Sequence, residues 1–329
     1  MPNRRTILPD ARRYPRFAGV ATFGRYPLLE HVAPENAPVD WAIYGAPFDA
    51  GVSYRPGARF GPRSIRDASQ YLKPYHIIHD VMLTEAMSIA DAGDAPVRPY
   101  SCEETCEAIT AFAADLGDAS TTRLLALGGD HSIALANLRA TWRRRGKPSN
   151  GLALIHFDSH LDTVDELWGE RFGHASPFIR AIEEKLVDPS RMISIGVKGP
   201  LNRADDLDFA RDHGVTIVTY EKWRREGPSV INDFISGLAD DEAYISFDID
   251  VVDPACAPGT GTPSVGGFTS PEILELLRSL AGLNVVGADV VEVLPDRDLG
   301  GTGGVTALLA AHIAFEILCL DALWRQRSS

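Results

Sequence analysis

The stretch IHFDSHLDT, residues 155–163, sets Asp158, His160 and Asp162 at alternate positions directly after the apolar run GLALIHF. Side chains two residues apart on an extended segment point to one face. Two carboxylates and an imidazole therefore converge where a buried strand should end, which is costly unless something neutralises them. Three further groups share this placement: Asp130 and His131 follow LLALGG, Asp248 and Asp250 follow AYISF, and Asp289 and Glu292 lie at the end of VVGADVVEV. Each alone has an ordinary structural reading. GGDHS suits a turn before a helix cap, and a D-x-D pair suits the start of a solvated loop. Four such groups at four strand ends point to one site.

The donor types narrow the chemistry. His131, Asp158, His160, Asp162, Asp248 and Asp250 offer two imidazoles and four carboxylates without a thiolate. That set favours Mn2+, with Ni2+, Co2+ or Zn2+ also compatible, over a closed structural zinc site. Four carboxylates exceed the needs of one ion. Two ions about 3.5–4 Å apart can share a water and lower its pKa, giving a hydroxide nucleophile near neutral pH.

The elements that must carry these groups are short β-branched runs at 41–47, 88–94, 124–130, 151–158, 192–197, 215–220, 243–248 and 285–293. Segments with helical spacing alternate with them, among them PRSIRDASQYL, CEETCEAITAFAADL, SIALANLRATWRRR, ADDLDFARDHG and PEILELLRSLAG. The alternation predicts a single-domain, three-layer α/β/α architecture around a mainly parallel sheet of about eight strands. The four polar groups then fall on its carboxyl edge, where open parallel sheets bind ligands. No linker, low-complexity tract or repeat divides the chain, and it reads as an N-terminal extension, 1–35, followed by one catalytic domain, 36–325. Gly61-Pro62 and Ser270-Pro271 mark helix starts, with Ser270 as an N-cap. The last helix, roughly 304–325, is apolar over much of its circumference and should pack into the core or an oligomer interface.

Composition limits the partners. The chain has 329 residues, 45% of them hydrophobic and 23% charged, with a formal net charge of −13. That charge argues against nucleic acid or an anionic membrane surface, and leaves a cationic small molecule unopposed. The N-terminus MPNRRTILPDARRYPRF lacks an apolar signal core, and no apolar stretch reads as a membrane span. Cytoplasmic location is the expectation. Cys102, Cys106, Cys256 and Cys319 form no C-x-x-C pair, and Cys102 and Cys106 read as neighbouring surface thiols.

GGDHS, FDSHLDT and SFDIDVVDPACAPGTGTP, followed by DVVEVLP, resemble in order the motifs of the ureohydrolase (arginase/agmatinase) family, on its agmatinase-like branch, over about residues 40–320. The resemblance implies the arginase-like fold, a dinuclear manganese-type centre on the six ligands above, and hydrolysis of a guanidino group to urea and an amine. It assigns guanidinium orientation to Glu292, proton transfer to His174, and a trimer or hexamer to the assembly. A metal-bridging hydroxide would attack the guanidino carbon, with Asp162 relaying a proton. In the segment TVDELWGERFGHASPF, Trp168 and Asp165 are candidates for substrate contact, Asp165, Glu166 and Glu170 for a positive tail and Arg171 for a carboxylate. Asp49, Tyr54 and Arg55 are candidates for reaching the site, with Arg59 and Arg63 as anchors. Agmatinase-like chains often read HGT where this one has His174-Ala175-Ser176, and threonine at Leu161. Beyond EVLP, Asp298 matches the family, Arg297 replaces an aromatic residue, and GGTGG reads as shaping the pocket. Agmatine, a guanidino acid, free guanidine or a biguanide all remain open. The contrasting reading is a non-catalytic subunit in a mixed oligomer, which the intact ligand set disfavours. Two-metal phosphohydrolases would place D-x-H first and add a G-N-H motif that is missing here.

Overall fold

All eight apolar runs become strands of one sheet. In the computed structural model, which describes residues 5–301 and 303–328, they are β1 (Trp41–Ala46), β4 (Ile89–Asp94), β5 (Arg123–Gly128), β6 (Leu152–Phe157), β7 (Val187–Val197), β8 (Thr216–Thr219), β9 (Glu242–Asp248) and β10 (Asn284–Val291). The numbering leaves β2 (Tyr75–His76) and β3 (Val81–Met82) for a small antiparallel hairpin. The sheet order is β4-β1-β5-β10-β9-β6-β7-β8, and every pairing is parallel. The expected mixture is thus a wholly parallel sheet. Its four central strands, β5, β10, β9 and β6, are the ones that end in the polar groups.

A parallel sheet buries both faces, and alternate strand residues divide accordingly. Trp41, Ile43, Leu125, Leu127, Ile155 and Phe157 join one core, while Ala42, Tyr44, Leu124, Ala126, Leu152 and Leu154 join the other. The first is covered by α1 (Gly61–Ser69), α2 (Leu83–Ala86), α7 (Tyr220–Glu226), α8 (Ser229–Leu238), α9 (Ser270–Ser279) and α10 (Val305–Ser328). The second is covered by α3 (Cys102–Ala114), α4 (Ile133–Arg144), α5 (Pro177–Glu183) and α6 (Asp208–Asp212). The N-terminal segment is stitched to the sheet where Thr6 Oγ1 donates to the Met87 carbonyl and Asp91 accepts the Phe23 N–H. Residues 1–4 of the expected extension lie outside the described residues.

Several sequence expectations need correction. Segment 204–214 does not form one helix: a 3-10 turn, Ala204–Leu207, precedes the short α6. Ser270 lies inside α9, whose N-cap is Thr269 in a reciprocal capping box with Glu272, because Glu272 sits three residues beyond the threonine rather than the serine. Cys102 and Cys106 are buried between α3 and the second core, not at the surface. Residues 305–327 are long and apolar enough to cross a membrane, contrary to the expectation, but most of that surface is buried inside the fold.

One buried carboxylate on the last helix ties in both the first strand, through a hydrogen bond, and β5, through an ion pair. Asp321, fully buried on α10, accepts from Trp41 Nε1 at 2.6 Å and from Arg325 Nε at 2.8 Å, and pairs with Arg123 at the start of β5. Burial pulls the Arg123 guanidinium down to about 10, against the attraction of Asp321. Removing one partner of a buried pair leaves the other charge uncompensated. Asp321→Ala should therefore lower unfolding stability by about 3–5 kcal/mol, read from the denaturant midpoint, and a change within experimental scatter would refute this account.

Candidate functional site

The end of each central strand is shaped to turn a ligand inward. After β5 the chain passes through Gly128 and Gly129, where a Cβ would meet Val291 Cγ1 at 2.5 Å and the carbonyl oxygens of Ala46 and Phe48 at 2.4 and 2.5 Å. Only glycine fits there, and the passage delivers Asp130 and His131 into the interior. After β6, Asp158, His160 and Asp162 continue the alternation, with Asp162 in the left-handed region at φ 51°. After β9 a 3-10 turn, Ile249–Val251, brings Asp250 beside Asp248, whose Oδ1 accepts the Asp250 N–H at 2.8 Å. Glu292, also left-handed at φ 63°, donates its own N–H to the Gly129 carbonyl. Two non-glycine residues held at positive φ in one site are a strain that function commonly explains.

All six expected metal ligands converge. His131 Nδ1 lies 3.0, 2.9 and 3.4 Å from carboxylate oxygens of Asp158, Asp162 and Asp248, yet makes no aligned hydrogen bond with any of them. His160 Nδ1 lies 3.3 Å from Asp158 and 3.2 Å from Asp250. Asp158 stands between the two clusters. Burial opposes charge on His131 and His160, but the surrounding carboxylates outweigh it and raise both well above the ordinary histidine value. Burial beside Asp250 and Asp158 pushes Asp248 well up, while three histidines hold Asp158 well down in spite of its burial. Carboxylates this close cannot all ionise without added positive charge. An oxygen-rich, thiolate-free donor set with an unpartnered imidazole nitrogen fits divalent cations in that role.

Below the ligands runs a row of polar residues in register across the sheet: Asp289, Ser246, His156 and Ser194, all fully buried. Asp289 accepts from the Ser246 hydroxyl at 2.7 Å and from Tyr244 Oη at 2.6 Å. Since the serine proton goes to Asp289, the 2.9 Å contact between Ser246 Oγ and His131 Nε2 requires the proton on Nε2. Nδ1 is thereby directed to the carboxylate cluster. His156 bridges Ser194 and Asp158 at 3.0 and 2.9 Å. Ser246 and His156 were not picked out from sequence, although each sits two residues before a ligand in the same alternation. Lys198 was also missed: its Nζ contacts Ser159 Oγ and the carbonyls of Asp250 and Ser264, clamping the loops behind the centre.

Glu292 and His174 adjoin the cluster. Glu292 is 1% exposed, and its Oε1 accepts from the His131 N–H at 3.0 Å and from His174 Nδ1 at 2.9 Å. Its Oε2 is buried without any partner. The Glu292 bond and nearby acids raise His174 to about 9 against the effect of burial, whereas the Ser53 N–H, 2.9 Å from Nε2, opposes a second proton. The backbone donor fixes Nε2 as an acceptor, so the geometry holds the neutral ring. His174 does not cap α5, which begins at Pro177. Asp130, raised to about 7 by burial and Glu292, holds the Gly51 N–H and so positions the loop carrying Ser53.

The outer residues divide. A cavity of about 350 Å³ opens onto His160, Asp162, His174 and Asp248; Leu161, Val164, Leu167, Ala175, Val197, Pro200, Leu201 and Leu207 form most of its wall, and Ser53, Thr163, Asn202, Asp206 and Thr262 complete it. Trp168 is 81% exposed and lines a separate cavity of about 220 Å³ with Glu170. Asp165 pairs with Arg180 and Arg171, which engages both the expected cation receptor and the expected carboxylate receptor. Asp49 is occupied by Arg59, Tyr54 is exposed beneath Arg55, and Asp298 caps α10 through the Thr306 and Ala307 N–H groups. The glycine turn includes residue 302, outside the described residues, and Gly303 donates to Ser64 Oγ.

Comparison with known proteins follows the same lines. The sequence profile of the arginase family matches residues 39–320. Guanidinopropionase of Pseudomonas aeruginosa is 40% identical over 97% of each chain, and human mitochondrial guanidino acid hydrolase is 38% identical over 94% of this chain and 85% of its own. The solved structure of proclavaminate amidinohydrolase from Streptomyces clavuligerus superposes with a TM-score of 0.85 at 39% identity, covering 94% of this chain and 100% of that one. If the serine relay orients His131, Ser246→Ala should weaken cation retention by about 10–100-fold with the fold preserved. Elemental analysis after dialysis checks this, and wild-type retention would count against the relay.

Proposed function

This chain belongs to the arginase (ureohydrolase) family and is a hydrolase of linear amidine C–N bonds, and from that premise we propose that it splits a short-tailed guanidino compound into urea and an amine at the edge of β5, β10, β9 and β6. The carrying observation is Glu292 Oε2, a buried acceptor without a donor beside the ligand cluster. A guanidinium N–H supplies the missing donor in a charge-assisted bond, and Oε1, already fixed by His131 and His174, sets the plane of approach.

His131, Asp158, Asp162 and Asp248 would hold one divalent cation, and His160, Asp158 and Asp250 a second, with Mn2+ or Ni2+ as the proposed metals. Bound there, such ions supply the charge these carboxylates require and acidify a shared water. The chain's own groups do the rest. Burial and the adjacent Asp158 raise Asp162 above the ordinary carboxylate value, which favours it as a proton acceptor. His174, neutral and lining the cavity, would take up a proton released by the attacking water at Nε2 by way of the Ser53 hydroxyl, 2.7 Å away, and return it along the same path to the leaving amine.

Guanidinopropionase and guanidino acid hydrolase are named for guanidino acids, which supports a head-group preference shared with this chain. The tail is read from the wall. Leu161 and Ala175, two of the departures from the agmatinase-like pattern, both face the cavity and favour methylene or alkyl groups over a charged chain end. Trp168 and Asp165 belong to the proposal only as outer contacts. A homo-trimer or homo-hexamer is carried in it too, supported by the exposed Tyr71, Tyr75, Ile77 and Ile78, which lie on or beside the β2–β3 hairpin.

Glu292→Gln should lower kcat/KM by about 10²–10³-fold at unchanged metal content, and near-normal turnover would remove Glu292 from the mechanism. Urea release should be measured with Mn2+- and Ni2+-loaded protein against guanidinopropionate, guanidinobutyrate, agmatine, arginine, free guanidine and a dialkylbiguanide. A short or apolar-tailed compound is expected to lead and arginine to trail. Arginine as the best substrate would overturn the reading of the cavity wall.

A further inference from the structure

Away from this centre, the β2–β3 hairpin folds two histidines onto α10. His76 Nε2 lies 3.0 Å and His79 Nε2 3.7 Å from Glu316 Oε2, whose carboxylate is buried. The other oxygen, Oε1, accepts from Arg278 Nε and Nη2 at 2.8 and 2.6 Å. His76 is a support rather than a ligand. Its Nδ1 accepts the N–H groups of Ile78 and His79 at 3.2 and 3.1 Å, so its proton sits on Nε2 and is donated to Glu316.

His79 is different. Its side chain is 10% exposed, and Nε2 is buried with no hydrogen-bond partner. At 3.7 Å from Glu316 Oε2 it is beyond hydrogen-bond range, but close to the separation of two ligands on one cation with bonds of about 2.0–2.2 Å. His312 lies one turn before Glu316 on the same face of α10 and is exposed.

His79 and Glu316 stand within ligand distance of one another and of His76, and we propose that His79 and Glu316, joined by His312 when its side chain swings in from the preceding turn of α10, bind a third divalent ion of the borderline, imidazole-preferring class, such as Zn2+ or Ni2+, with His76 and Arg278 fixing the carboxylate. Arg278 offsets the charge of Glu316, so neutral imidazoles carry the affinity. That selects against Mg2+, Ca2+ and Mn2+, which depend on anionic oxygen. The ion fastens residues 75–82 to the last helix and takes no part in hydrolysis.

The test counts ions. Protein loaded at its two catalytic positions is dialysed against micromolar Zn2+, and total divalent metal per chain is determined. Wild type should hold three equivalents and His79→Ala two, with His312→Ala reduced in affinity. Zn2+ should also raise the thermal midpoint of wild type but not of His79→Gln, which keeps side-chain bulk at that position. Two equivalents in wild type, or a third retained by His79→Ala, would overturn the assignment.

Discussion

Repulsion among Asp158, Asp162, Asp248 and Asp250 is the constraint around which this molecule is arranged. In a buried site their charges cannot coexist alone. The same carboxylates raise the neighbouring histidines, and the unpartnered Nδ1 of His131 faces the position proposed for a cation. Strand order serves the same end, because the four strands carrying the acids and their neighbour Glu292 are adjacent in the sheet though far apart in sequence. The glycine passage after β5 and the left-handed Asp162 and Glu292 are local costs that global packing absorbs.

Much of this was legible in the sequence because it rests on periodicity. Apolar runs buried on both faces gave all eight strands, and the alternation at 158, 160 and 162 gave the shared face. What escaped was set by contacts between distant elements. β7 begins five residues before its apolar run because pairing with β6 extends it. Asp165 looked available in a polar loop, but Arg180 on α5 reaches it. Trp168 lies in the expected segment yet turns at φ 56° toward a neighbouring cavity. No period in the sequence encodes such meetings. Ser246 and His156 are the instructive misses: their spacing was visible, but serine and histidine within an apolar strand read as tolerated core polarity.

The site also separates two tasks physically. In the proposed function, head-group recognition and the ion cluster fall to strand ends in the middle of the sheet, and the wall that would meet the rest of the substrate comes mostly from loops at 161–175 and 197–207. Loops tolerate replacement better than the scaffold that supports them. Relatives named guanidinopropionase and guanidinobutyrase, at 40% and 37% identity, are consistent with that separation.

The polar row of Asp289, Ser246, His156 and Ser194 bears on motion as well as orientation. It crosses the interior strands, where each backbone amide is shielded by neighbours on both sides, so slow hydrogen exchange belongs to the floor of the centre. Opening that region would break several strand pairings at once, a cost close to global unfolding. The loops above can breathe without disturbing the floor, and the protein can admit and release small molecules while keeping its ligand geometry intact.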